Sequence, residues 1–142
     1  MRTILTFALC LAALGAAPAS AQQYRVVVNS ANPTSTLSKD DLARLYLKKT
    51  GSWKHGGAVT VVDLGPTSPV RADFSVSVLG RDVPTMKNYW QQSLFSGRGL
   101  PPIEQPSEAQ VLAFVAANRG AIGYVSSAVP LPEGVKTVAV TR

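Results

Sequence analysis

The sequence predicts an α/β domain whose sheet is at least partly parallel. Short β-branched runs, such as Val26-Val27-Val28, alternate with helices that carry recognisable caps, and such alternation is the mark of strands joined by helical crossovers. The helix starts are marked by Ser38, by Ser68-Pro69 and by Ser107 with Gln110 three residues on. With residues 1–21 set aside, the rest is enough for one core and leaves no room for a second domain.

Residues 1–21 have the organisation of a secretory signal. Arg2 supplies the charge, Ile4 to Leu14 the apolar run, and Ala19-Ser20-Ala21 a small-residue cleavage site, so the mature chain is expected to span 22–142 from Gln22. The only cysteine, Cys10, falls inside this segment, and Leu9 before it does not suit a lipoprotein anchor. The mature protein is therefore expected to lack disulfides, thiolate metal sites and a cysteine nucleophile. Export without cysteines fits a Gram-negative periplasm. No later run reaches the roughly 18 apolar residues of a membrane helix, so the chain is not expected to span one. The formal net charge is +6, and the basic residues are scattered except for Lys48-Lys49. A solvated basic surface accounts for that, and no patch with interleaved aromatics points to nucleic acid.

Taken in order, Tyr24 to Asn29 reads as a buried strand and Ser30 to Thr36 as turn-rich. Ser38 caps a helix through Lys49, with Asp41 in its first turn, Leu37 and Leu42 at staple spacing, and Leu42, Leu45 and Tyr46 on one apolar face. Gly51 to Gly57 is a loop holding Trp53, Lys54 and the only histidine, His55. Val59 to Asp63 is a strand. Ser68 and Pro69 then start a helix through about Leu79, with Val70, Phe74 and Val78 on its inner side. A third helix follows Pro84, with Met86, Tyr89, Trp90 and Leu94 on one stripe, and Ser96 to Pro106 is a long Gly/Pro loop. The last helix runs from the Ser107 capping box through Asn118, with Val111, Phe114 and Val115 on one face and Gly120 suited to its C-terminal cap. Ala121 to Val125 and Val135 to Val140 close the chain as strands. Phe74, Trp90 and Phe114 are expected in the core.

Catalysis finds little support in this pattern. His55 has no acidic or serine partner at a recognisable spacing, and the eight carboxylates are too dispersed for a metal cluster. No nucleophile elbow or phosphate-binding P-loop occurs. No enzyme activity and no cofactor are expected. The junction at 63–71 is different, because a helix N-terminus presents unpaired N–H groups and partial positive charge. The Val70 and Arg71 N–H groups, the Thr67 and Ser68 hydroxyls and the Arg71 guanidinium could converge on a tetrahedral oxyanion. Equally, Ser68 could serve only as its own helix cap. Trp53, Tyr89, Trp90 and Tyr124 suit core packing better than an aromatic ligand site, and Trp53 could fold back over the sheet.

Several of these segments occur together in one known family. A Trp53 to Gly56 loop, a strand, Ser68-Pro69-Val70-Arg71-Ala72-Asp73-Phe74, Tyr89-Trp90, Phe95-Ser96-Gly97, Pro101-Pro102 and Asn118-Arg119-Gly120-Ala121-Ile122-Gly123-Tyr124-Val125 follow in order. This resembles the short proteins classed with the phosphate ABC transporter substrate-binding proteins, over about Val26 to Val140. The resemblance implies a single lobe of a periplasmic-binding-protein type II-like fold, with a mixed, mostly parallel sheet flanked by helices. It also implies phosphate or a related oxyanion as ligand, and an ABC transporter or membrane sensor as partner. Two departures stand beside it. Full receptors close two lobes over phosphate, and the family's strand-end arginine and Ser-Gly-Thr turn are here Asp63 and Thr67-Ser68-Pro69. Two readings follow: weak oxyanion binding at Thr67, Ser68, Val70 and Arg71, or a ligand-free module that docks on a sensor, a transporter or a second copy as a homodimer.

Overall fold

The computed structural model describes residues 23–142, so the expected signal segment lies outside the described residues. The elements are β1 (Tyr24–Asn29), β2 (Thr36–Ser38), α1 (Lys39–Tyr46), β3 (Thr60–Leu64), α2 (Pro69–Phe74) continued by a π-helical turn (Ser75–Leu79), α3 (Val83–Phe95), β4 (Ile103–Gln105), α4 (Glu108–Ala117), β5 (Ala121–Ser126) and β6 (Val135–Thr141). They form one six-stranded sheet in the order β2-β6-β1-β5-β3-β4. Pairing is parallel for β2–β6, β3–β5 and β3–β4, and antiparallel where β1 meets β5 and β6. The sheet is thus mixed and mostly parallel, with β1 as the reversed strand.

Neighbouring residues of β5 show how the layers divide, since successive side chains leave a strand on opposite faces. Tyr124 stacks on Phe74 of α2 at 3.8 Å between ring centroids and 4° between planes. Gly123, its neighbour, faces α4: a Cβ there would lie 2.8 Å from Val111 Cγ1 and 3.4 Å from Val115 Cγ2. Helices α1 and α2 therefore cover one face and α4 the other. On the first face Tyr24, Tyr46, Phe74 and Tyr124 form a single aromatic cluster, with Tyr24 edge-on to Phe74 at 5.2 Å and Tyr46 tilted against it at 4.7 Å. Edge-to-face and offset pairs of this kind add to the area they bury. The Tyr46 hydroxyl is satisfied by donating to Val62 O at 2.8 Å. On the second face Asn29 Nδ2 donates to the Val115 and Ala116 carbonyls, tying β1 to the end of α4.

The caps form where the sequence places them. Ser38 Oγ accepts from the Asp41 N–H, Ser68 Oγ from the Arg71 N–H, and Ser107 Oγ from the Gln110 N–H. Several boundaries differ from expectation. Helix α1 stops at Tyr46, not Lys49, because Lys48 turns into the left-handed region at φ 58°. The helix after Pro69 changes to π geometry at Ser75, where the Ser75 hydroxyl donates to Arg81 O at 2.5 Å. The expected loop at 96–106 contains β4, which completes the sheet edge. Phe114 is only partly buried, the inner face of α4 being Val111, Leu112 and Val115, whereas Phe74 and Trp90 are buried as expected. Leu94 leaves the buried stripe of α3 and is exposed. Gly120 is not a left-handed cap. Glycine is required there by a close approach, since a Cβ would sit 2.4 Å from Ala58 O.

Candidate anion site

The junction between β3 and α2 is built from the last residues of one and the cap of the other. Ser68 donates its N–H to Gly65 O at 3.1 Å, and its hydroxyl accepts from the Arg71 N–H at 3.2 Å, so this serine caps its own helix. Pro69 takes the first helical position. The Val70 N–H, in the first turn, has no carbonyl to reach within the helix. Thr67 is exposed and Val70 half-buried. Thr67, Ser68 and Val70 therefore lie together at the start of α2.

Arg71 shares that turn, but its guanidinium is engaged inside the protein. It is 6% exposed. Nη1 donates to Leu64 O at 2.9 Å and to Glu104 Oε1 at 2.6 Å, and Nε lies 3.6 Å from Asp63 Oδ1. The strand register explains the cluster. β3 and β4 pair in parallel with Asp63 opposite Glu104, which brings two carboxylates to one guanidinium. Charge-assisted bonds of this length are the strong kind, and removing one partner of a buried pair leaves the other charge uncompensated. The cavity that Arg71 and Asp63 line with Tyr46, Ser75, Trp90 and others is about 10 Å³. That is room for at most about one water, well short of a tetrahedral oxyanion.

Asp63 is the electrostatic centre of the junction. Its Oδ1 accepts from the Leu64 N–H at 2.9 Å and from the Tyr124 hydroxyl. Burial pushes its carboxyl above the usual range, Glu104 adds to that, and Arg71 with the two donors pulls it part of the way back. Burial likewise raises the Tyr124 hydroxyl, with the Asp63 charge as the next cause, so Tyr124 stays protonated and keeps donating. Two carboxylates against one guanidinium give the group a negative formal balance. A dianion arriving here would meet that charge before it met a free donor.

The other singled-out residues serve structure. Trp53 is buried and donates Nε1 to Gly120 O at 3.2 Å, so the 51–57 loop does fold back on the sheet. His55 stacks on Trp53 with 11° between rings, and its Nε2 lies 3.1 Å from Asn32 Oδ1. Among the described residues no three histidine, cysteine or carboxylate side chains gather as a metal would require. The residue that sequence reasoning missed is Glu104. Its only signal is the short Ile103-Glu104-Gln105 run between prolines, too brief to show a strand period.

No family model matches the chain, and no curated protein matches it. Solved structures do. The chain superposes on an ABC-type phosphate transport receptor from Vibrio cholerae with TM-score 0.64 and 22% identity, over 83% of this chain and 46% of that one. A protein from Clostridium perfringens, assigned to the phosphate ABC transporter substrate-binding proteins and solved with bound phosphate, gives TM-score 0.64 at 20% identity, over 83% and 44%. PstS from Borrelia burgdorferi gives 0.59 at 11%, over 83% and 47%. The fold is that of a single lobe of these phosphate-binding proteins, and the chain spans less than half their length.

Proposed function

We propose that this chain is a periplasmic, solute-binding-protein-like lobe that serves oxyanion transport or sensing by docking on a partner, and not by closing over phosphate. One observation carries the reading: the guanidinium best placed to hold an anion is already held by Glu104 and Asp63, beside a cavity of about 10 Å³. A ligand would have to displace a charge-assisted bond of 2.6 Å from a cluster whose formal balance is negative. The likeness to phosphate receptors supports a role in that kind of transport. The module is read as a binding protein without catalysis, in keeping with transport receptors as neighbours.

A second reading, weak oxyanion binding at the start of α2, has its own support. Thr67 is exposed there, and the Val70 N–H has no partner within the helix. Two or three charge-assisted hydrogen bonds of about 1.5–3 kcal/mol each, set against the entropy of association, would give a Kd near or above about 1 mM. Calorimetric titration with phosphate and sulfate separates the two. The docking reading expects no saturable heat in the wild type, in Asp63→Asn or in Glu104→Gln. Saturable binding that appears or tightens in Asp63→Asn and weakens in Thr67→Val gives the site to the oxyanion.

A further inference from the structure

A second feature of the molecule lies toward the end of α3, across Trp90 from the junction cavity. Three large apolar side chains project within seven residues there, Leu94 and Phe95 from the helix and Leu100 from the segment after it, with Phe95 93% and Leu100 70% exposed. Beside them is an open cleft of about 380 Å³ between the end of α1 and α3. Lys48, Lys49 and Arg98 line it together with Tyr89, Gln92 and Ser93, and no carboxylate lines it. The left-handed turn at Lys48 brings both lysines to the same cleft. Arg98 is fixed at the helix end by its N–H to Ser93 O at 2.9 Å and by Nε to Ser96 Oγ at 2.9 Å. A fourth cation, Arg81, sits 5.2 Å over the Tyr89 ring. Phe95 stands about one helical turn beyond Gln92, which lines this cleft.

We infer that this end of the molecule docks on the surface of an anionic lipid bilayer, with Phe95 and Leu100 entering the headgroup region and Lys48, Lys49 and Arg98 meeting lipid phosphates. The inference rests on the docking reading above and names its partner. Charge complementarity favours a bilayer: Arg98 lies between Phe95 and Leu100 in the chain, and no acid lines the cleft that it shares with Lys48 and Lys49. The shape favours it as well. The apolar side chains stand out from one short stretch, which suits insertion between headgroups better than mating with a flat protein face. Apolar side chains combined with basic ones are the usual recipe for interfacial attachment, and several such signals are needed for it to hold. No helix among the described residues is long and apolar enough to cross a membrane, so this tip would be a peripheral contact.

Cosedimentation with vesicles tests it, using the purified protein with its N-terminus read by mass spectrometry. The wild type should bind vesicles of equal phosphatidylglycerol and phosphatidylcholine and leave pure phosphatidylcholine vesicles unbound. Phe95→Ser should weaken partitioning about tenfold or more, from the lost burial of one aromatic side chain. Lys49→Gln with Arg98→Gln should weaken it by about tenfold, and raised salt should weaken the wild type likewise. All three replaced side chains are exposed. Absence of binding to the anionic vesicles, equal binding to neutral ones, or binding that survives both variants would overturn the inference. So would capture of an acidic protein with no vesicle binding. Tight phosphate binding in the calorimeter would instead remove the docking reading beneath it, so the two failures are distinguishable.

Discussion

At Asp63, a buried carboxylate answers to four neighbours at once, and its protonation should be visible in stability. Its carboxyl is raised in the folded protein, chiefly by burial. A raised carboxyl binds protons more tightly folded than unfolded, so its contribution is favourable at low pH and is lost as pH rises through the folded value. Lowering pH from neutral toward the ordinary carboxylate range should therefore move wild-type stability upward relative to Asp63→Asn. Urea unfolding of both proteins across that range checks it, and parallel curves would count against the assignment. Phe74 and Phe114 make a second comparison. Phe74 is 1% exposed at the centre of the aromatic cluster, so Phe74→Ala should cost about 3–5 kcal/mol. Phe114 only borders the core, and Phe114→Ala should cost clearly less, about half as much or under. Equal losses in the same unfolding measurement would contradict that ranking.

Elements form where cap, period and length agree, and they become illegible where tertiary contacts decide. The three serine-capped helices and the strands β1, β3, β5 and β6 were readable, because each carries a local signal of its own. β2 and β4 were not, since three-residue strands are shorter than any period and exist only by pairing with β6 and β3. The end of α1 was misread because Lys48 and Lys49 continue a helical composition, while the backbone turns left-handed at Lys48. The same limit hid the junction. Thr67, Ser68, Val70 and Arg71 were identifiable from the cap and proline, but the destination of the Arg71 guanidinium depends on Glu104, 33 residues away. At Gly120 the constraint is also tertiary, and Gly120→Ala must push β5 away from Ala58 O. We expect a loss of about 1–3 kcal/mol, read as a lowered urea midpoint at unchanged slope. A wild-type midpoint would mean that the approach of Ala58 is soft.

For the whole molecule, size and charge arrangement bear on function more than any single motif. The fold is one lobe of an architecture whose solved examples this chain covers to only 46% and 44%. Export is the premise of the periplasmic reading, and it rests on Arg2, the Ile4 to Leu14 run and Ala19-Ser20-Ala21. Mass spectrometry of the protein recovered from its native compartment should show a chain beginning at Gln22, and an intact Met1 or a lipidated Cys10 would refute it.

The central claim is that the strand–helix junction does not take phosphate, its guanidinium being held inside the protein beside a cavity of about 10 Å³. Phosphate titration of the wild type by calorimetry tests it most directly. With Glu104 on Arg71 Nη1 and Asp63 beside it, we predict no saturable binding at phosphate concentrations up to about 1 mM, where the free energy would be only about −4 kcal/mol. Saturable binding with a Kd in the micromolar range, weakened by Arg71→Ala, would contradict the account.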